Sequence, residues 1–188
     1  MTEVTVVLPT YNERENIALL IEGILDHVRP APEIIVVDDD SPDGTWQVVE
    51  ALALKHPNVR LIRRTGERGL TSAISRGIAE AKGEIVVWMD CDLSMPADRV
   101  PALLSAIAEG HDLAIGSRYA RGGADIGHSW VGQAFSRTIN WFAGLFLGFS
   151  VTDYTSGFLA VRKEVFDTIQ LRGDYGEYCI DLLYRAKR

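Results

Sequence analysis

Cysteine is scarce in this chain. Two occur in 188 residues, Cys91 and Cys179, with no C-x-x-C spacing. That excludes a disulfide framework and a cysteine zinc site, and it suits a reducing cytoplasm. No run of 18 apolar residues occurs, so no stretch reads as a membrane-spanning helix. The opening Met1-Thr2-Glu3-Val4 lacks the basic start and apolar centre of a secretory signal. Basic charge is also short: 19 Lys and Arg face 26 Asp and Glu, a net charge of -7, which argues against a nucleic-acid partner. No G-x-G-x-x-G follows the first strand, and no G-x-x-x-x-G-K occurs. A glycine loop at a helix N-terminus is therefore not how this chain holds phosphate. Repeats, low-complexity tracts and linkers are missing too, so the sequence predicts one domain with a real core.

What is present is an alternation of strand and helix signals. Residues 4–9 read as a first strand. Ile17, Leu20, Ile21, Ile24, Leu25 and Val28 then fall on one face of a helix. Residues 33–38 form strand two. Ser41 reads as the N-cap of a second helix with Pro42 in its first turn, and Trp46, Val49, Leu52 and Ala53 make its inner face. Residues 59–63 are strand three. A third helix is predicted over 70–81, closed by Gly83 as a C′ glycine. Residues 85–89 are a buried strand four. Ala102, Leu103, Leu104 and Ile107 mark a helix ending at Gly110, and residues 112–116 are strand five. Such alternation means βαβ units in a mostly parallel sheet with helices on both faces.

The polar clusters sit at the strand ends. Tyr11-Asn12-Glu13, Asp38-Asp39-Asp40, Asp90-Cys91-Asp92 and Ser117-Arg118 each follow a strand. Right-handed crossovers carry these ends to one edge, where open α/β sheets bind ligands. Asp90 and Asp92 at i and i+2 are hard oxygen ligands suited to Mg²⁺ or Mn²⁺, and such ions usually take substrate phosphates as further ligands. The plainer reading of Asp90-Cys91-Asp92 is a polar turn capping the next helix at Ser94. Without a glycine loop, phosphate charge must be met by a metal or by Arg118. A nucleoside-diphosphate donor meets that need.

Beyond Gly116 the alternation breaks. Residues 118–128 are irregular and glycine-containing. Residues 131–149 are apolar and aromatic, interrupted strongly only by Arg137 and Asn140. They read either as an interfacial helix on a membrane surface or as a helix buried against the sheet edge. Residues 155–162 read as a turn and a short strand, and 177–188 as a helix.

These motifs together resemble the family 2 glycosyltransferases of GT-A fold, nearest to the dolichyl- or polyprenyl-phosphate mannose synthases. The matching pieces are residues 9–16, 37–45, Gly69-Leu70 with Ala73 and Gly77, residues 90–93, residues 116–119, and Ser156-Gly157-Phe158 with Arg162. The resemblance implies a GT-A type, Rossmann-like single domain, with donor binding in residues 1–117 and an acceptor- and membrane-facing part in 118–188. It implies that Pro9, Tyr11 and Glu13 border the donor base. Val37 and Asp39 would hold base and ribose, and Asp90 and Cys91 would lie along ribose and sugar. Asp92 would bind the metal with Ser94 beside it. Arg118 and Arg137 would meet the diphosphate or the acceptor phosphate. Asp92, Arg118 and Arg137 form the implied catalytic set.

Three departures from the family pattern stand out. Ser94 replaces a frequent glutamine. Gly132 stands where an arginine is common, four residues before Ser136. The last residue is Arg188, ahead of the usual closing strand and basic motif. The expected activity is inverting transfer of mannose from GDP-mannose to dolichyl or polyprenyl phosphate, by a peripheral protein on the cytoplasmic membrane face. The alternatives are glucose transfer from UDP-glucose to the same lipid, a nucleotidyltransferase, and a non-catalytic nucleotide-sugar-binding fragment. A lipid phosphate is already ionised at neutral pH, so neither His128 nor Asp153 is expected to act as a general base.

Overall fold

The computed structural model describes residues 3–120, 138, 140–141, 144–145, 151–174 and 176–187. Its elements run β1 (Val4–Thr10), α1 (Ile17–His27), β2 (Glu33–Asp38), α2 (Thr45–Ala53), β3 (Val59–Arg63), α3 (Leu70–Glu80), β4 (Ile85–Trp88), α4 (Val100–Ala108), β5 (Leu113–Ile115), β6 (Leu159–Arg162) and α5 (Glu177–Ala186). The six strands form one sheet in the order β3-β2-β1-β4-β6-β5. Strands β1 to β4 pair in parallel. Strand β6 runs antiparallel to both neighbours, so β5 points the same way as β4. Every β1–β5 carboxyl end therefore lies along one edge, and there β6 contributes its amino end.

Strands β1, β2, β4 and β6 are mostly apolar because both faces of the sheet are covered there. Side chains alternate with period two. Val6, Leu8, Ile34, Val36, Ile85 and Val87 pack on one face against Ile17, Leu20, Ile21 and Ile24 of α1, Val49 and Leu52 of α2, and Val100, Leu103 and Ile107 of α4. Val7, Ile35, Val37, Val86, Trp88, Leu159 and Val161 face the other way. They pack against Ala73, Ile74 and Ile78 of α3 and Tyr178, Cys179, Leu182 and Leu183 of α5. Trp88 is 1% exposed, and its indole N–H donates to the Tyr178 hydroxyl at 3.1 Å, so burial leaves no orphaned donor there.

Three local expectations need correction. Helix α2 begins at Thr45 after Gly44 in a left-handed conformation (φ 85°), not at Ser41-Pro42. The Ser41 hydroxyl is instead spent inside the loop, donating to Asp38 Oδ2 at 2.7 Å. Gly83 is not a left-handed cap: α3 closes through Ala81 in an extended conformation. Glycine is required at 83 for space, since a Cβ there would lie 2.6 Å from the Thr5 backbone nitrogen. Ser94 does not cap α4, which starts at Val100 behind a 3-10 turn at Ala97–Arg99. Among the described residues, no helix is long and apolar enough to cross a membrane.

Gly77 sets how closely α3 approaches the sheet. A Cβ at 77 would sit 2.3 Å from Val7 Cγ1 on β1. Overpacking of this kind costs about 1–3 kcal/mol, against roughly 1 kcal/mol gained in helix propensity. Gly77→Ala should therefore destabilise the fold in urea titrations. In a Val7→Ala background the same change should be neutral or stabilising. An equal loss in both backgrounds would show that the contact with Val7 is not the cause.

Candidate functional site

The carboxyl edge of the sheet is built from short loops held by buried polar side chains. Asp38 closes β2 with no exposed surface. Its Oδ2 accepts from the hydroxyls of Thr10 (2.9 Å) and Ser41 (2.7 Å), and Oδ1 accepts from the Ser41 N–H (2.9 Å). The Ser41 oxygen in turn accepts from the Asn12 N–H at 3.0 Å, and Thr45 Oγ1 accepts from the Glu13 N–H at 2.9 Å. The loops after β1 and β2 are thus one bonded unit. Backbone strain concentrates here as well. Among the described residues the non-glycine positions with left-handed φ are Asn12 (62°), Asp40 (56°) and Leu93 (63°), following β1, β2 and β4. Asn and Asp tolerate that region; Leu does not readily, and such strain clusters at functional sites. At Leu93 it folds the chain back so that the Ser94 N–H donates to Asp92 Oδ1 at 2.9 Å.

The four polar clusters converge as expected. Asp39 donates its N–H to the Thr10 carbonyl at 3.1 Å. The Cys91 thiol donates to the Pro9 carbonyl at 3.4 Å, tying β4 to β1. Asp90 is half-buried, and its carboxylate lies against Gly157, where a Cβ would come within 3.1 Å of Oδ2. Burial first, then the negative charges of Asp92 and Glu13, push the Asp90 carboxyl up to about 6, with Arg118 pulling the other way. Neither Asp90 nor Asp92 forms an ion pair with any described residue, whereas Asp39, Asp40 and Asp153 pair with Arg64, Arg63 and Arg118. Negative charge is left unbalanced at one spot of the edge.

The other implied site residues fall as follows. Tyr11 is 45% exposed, with the Arg68 guanidinium 5.0 Å from its ring centre. Pro9 and Glu13 are half-buried beside it. Asp92 is exposed, and Ser94 stands next to it. Cys91 is 3% exposed, and burial drives its thiol well above the ordinary range, so it is a packing group rather than a nucleophile. Val37 has no exposed surface and packs on Ile35 and Ala73 in the core. Its side chain offers a ligand nothing directly; its carbonyl accepts from the Thr10 hydroxyl at 3.5 Å. Among the described residues no group of three His, Cys, Asp or Glu converges to hold a metal on protein ligands alone. Arg137, His128, Gly132, Ser136 and most of 131–149 lie outside the described residues. Within that stretch, Asn140 is buried, while Trp141 and Leu145 are each 55% exposed.

Two ion pairs were not foreseen. Arg64, 7% exposed, grips Asp39. Asp153, fully buried, receives Arg118 through Nε at 2.8 Å and Nη2 at 3.0 Å, while Nη2 also reaches Thr155 Oγ1 at 2.7 Å. The Asn140 amide donates to Asp153 and Thr155 as well. Arg63-Arg64 at the end of β3 was a fifth polar cluster at the same edge, and the acidic triplet across from it was the available signal. A cavity of about 580 Å³ lies elsewhere, lined by Glu3, Arg29, Glu33, Lys82 and Arg162 at the opposite edge, and so does not mark this site.

Residues 5–170 match the family described as glycosyl transferase family 2. The chain belongs to that family. It is 40% identical over 188 residues to a dolichol-phosphate mannosyltransferase of Pyrococcus furiosus, covering 98% of this chain and 53% of that protein. It is 41% identical to a polyprenol monophosphomannose synthase of Mycolicibacterium smegmatis, covering 96% of this chain and 71% of the relative. Among solved structures, it superimposes on glucosyl-3-phosphoglycerate synthase from Mycobacterium tuberculosis in complex with Mn²⁺, uridine diphosphate and phosphoglyceric acid. There the TM-score is 0.72 at 26% identity, over 97% of this chain and 63% of that one. The fold is of the GT-A type. The chain spans about half the length of the Pyrococcus relative.

The Arg118–Asp153 pair yields a prediction. Burial alone would raise the Asp153 carboxyl, but the Arg118 guanidinium outweighs it and holds it below the ordinary carboxylate range. In the parent, the pair's stabilisation is present above that ordinary value, about 3.9, and is lost as pH falls through the lowered one. Removing Arg118, whose side chain is 21% exposed, strands a buried charge at a cost of about 3–5 kcal/mol near neutral pH. In Arg118→Ala the carboxyl rises instead, so the deficit should shrink on mild acidification as Asp153 takes up a proton. Urea unfolding of parent and variant across that range checks this; a deficit independent of pH would contradict it.

Proposed function

We propose that this chain forms the donor-binding and transfer region of an inverting mannosyltransferase, moving mannose from GDP-mannose onto a polyprenyl or dolichyl phosphate. The observation that carries the reading is the pair Asp90 and Asp92: carboxylates at the carboxyl edge of β4, close to Glu13, with no ion-pair partner among the described residues. Hard oxygens with unmatched negative charge fit Mg²⁺ or Mn²⁺. A donor set smaller than three carboxylates suits ions that complete their shell with water and substrate phosphate. Asp92 and Ser94 would hold the ion, which would stabilise charge developing on the departing diphosphate. The Mn²⁺ in the solved neighbour and the lipid-phosphate names of the relatives support this choice.

In this reading residues 1–117 hold the donor. Tyr11, Pro9 and Glu13 border the base, Asp39 faces the ribose, and Asp90 lines the path to the sugar with Cys91 packed behind it. Residues 118–188 serve the acceptor, with Arg118 and Arg137 as its phosphate contacts. The acceptor phosphate has a second pKa of about 6, so near neutrality it is mostly a dianion and attacks without a protein base. Asp153 fits that scheme. Its carboxylate is held ionised, and its oxygens are taken up by Arg118, Asn140 and Thr155, so it orients Arg118 rather than accepting a proton. Catalysis then rests on positioning and electrostatics. The exposed Trp141 and Leu145 support contact with the membrane carrying the lipid, which this reading puts at its cytoplasmic face.

A second donor, UDP-glucose, is kept because one solved neighbour carries uridine-diphosphate-glucose with Mn²⁺. Both readings, and that of a non-catalytic binding fragment, meet in one assay: transfer of labelled sugar from GDP-mannose or UDP-glucose to polyprenyl phosphate in vesicles, with Mn²⁺. Mannose transfer by the parent should fall about a hundredfold or more in Asp92→Asn, with folding intact. Transfer only from UDP-glucose would replace the donor. No transfer from either, or full activity in Asp92→Asn, would overturn the proposal.

A further inference from the structure

Among the described residues Arg64 is a buried cation at the carboxyl edge, and neither the metal nor the acceptor chemistry above uses it. It leaves β3 immediately after Arg63, and its own N–H donates to the Asp38 carbonyl at 2.8 Å. At 7% exposure its guanidinium reaches three parts of the chain in one plane. Nε donates to Asp39 Oδ1 at 2.6 Å, Nη1 to Ser72 Oγ at 2.9 Å, and Nη2 to the Gly69 carbonyl at 3.0 Å. Gly69 answers by donating its N–H to Asp39 Oδ2 at 2.8 Å. That return bond needs the backbone of Gly69 at φ 135°, which L side chains rarely adopt. The end of β2, the β3–α3 loop and the first turn of α3 are thereby locked around one carboxylate.

We infer that Arg64 is a positioning residue for the nucleoside half of the donor, acting through Asp39. This rests on the reading of Asp39 as a ribose contact. The clamp fixes Asp39 in one rotamer, with Oδ1 committed to Arg64. Oδ2, with one bond from Gly69, keeps acceptor capacity for a ligand hydroxyl. The same clamp holds Gly69, next to Arg68, whose guanidinium lies 5.0 Å from the Tyr11 ring centre. Lysine cannot replace this arginine. It keeps the charge that Asp39 needs, but as a point donor it cannot hold three partners in a planar fork. Partners that orient a ligating group typically matter about 10- to 100-fold.

In the proposed donor site the diphosphate end would lie toward Asp92, away from the clamp, and this separates positioning from general damage. Calorimetric titrations would use the nucleoside diphosphate that the parent binds, GDP or UDP, and inorganic pyrophosphate, each with Mn²⁺. Arg64→Lys should weaken nucleoside diphosphate about 10- to 100-fold and leave pyrophosphate unchanged. Ser72→Ala, a milder cut in the same clamp, should give a smaller loss of the same kind. Arg64→Lys combined with Asp39→Asn should bind no worse than Asp39→Asn alone, because the two act as one unit. Unchanged nucleoside-diphosphate affinity in Arg64→Lys overturns the inference and leaves the donor site standing. Equal weakening of pyrophosphate overturns it in favour of a purely structural role. A parent that binds neither GDP nor UDP overturns the donor-site reading and this inference with it.

Discussion

Like charge gathered at one edge of the sheet is the constraint on which the rest of this structure depends. Parallel strands bring the loops after β1, β2 and β4 together, and those loops carry Glu13, Asp38, Asp39, Asp40, Asp90 and Asp92. Carboxylates this close raise one another's proton affinity unless each finds a partner. The fold supplies partners selectively. Asp38 is buried among hydroxyls and a backbone N–H, Asp39 is gripped by Arg64, and Asp40 pairs with Arg63. Among the described residues Asp90 and Asp92 find no ion-pair partner, and burial first, then the charges of Asp92 and Glu13, push the Asp90 carboxyl up to about 6. The loops are thus secured by the paired aspartates, while the two without an ion pair among the described residues mark where a cation and a phosphate chain belong in the proposed donor site.

A second node governs the other side of the edge. β6 enters the sheet antiparallel between β4 and β5, and this places Gly157 against Asp90 and Asp153 beside Arg118. The resulting pair anchors the chain leaving β5 to the chain entering β6, through the Arg118 guanidinium and the Asn140 amide. In the proposed mechanism the same bonds decide what Asp153 can do. A carboxylate saturated with donors orients an arginine; it does not collect a proton.

Much of this was legible in the sequence, for physical reasons that differ by element. Strand β2 matches its sequence range because a buried parallel strand is a continuous apolar run with polar ends, and β3, a half-buried edge strand, is still marked by Val59, Leu61 and Ile62 between polar residues. The carboxyl-edge clustering was legible because βαβ handedness leaves little topological choice. What escaped were features set by distant partners. Nothing local to residues 159–162 says that they insert between β4 and β5; that pairing reaches across more than seventy residues to Ile85–Trp88. Which of Arg63 and Arg64 turns inward depends on Asp39 and Gly69. Ser41-Pro42 carried a sound helix-start signal, but the Ser41 hydroxyl was worth more to buried Asp38. Gly83 looked like a cap because sequence shows a missing side chain without showing the Thr5 backbone that requires it.

The central claim is that the unpaired carboxylates at the end of β4 form a site in which a divalent cation and a nucleoside diphosphate bind as one unit. The direct measurement is the affinity of GDP for the parent protein, titrated calorimetrically with and without Mn²⁺. The account predicts that Mn²⁺ tightens GDP by about tenfold or more, and that GDP tightens Mn²⁺ by the same factor, as linkage requires. Equal GDP affinity in the presence and absence of the cation would contradict it.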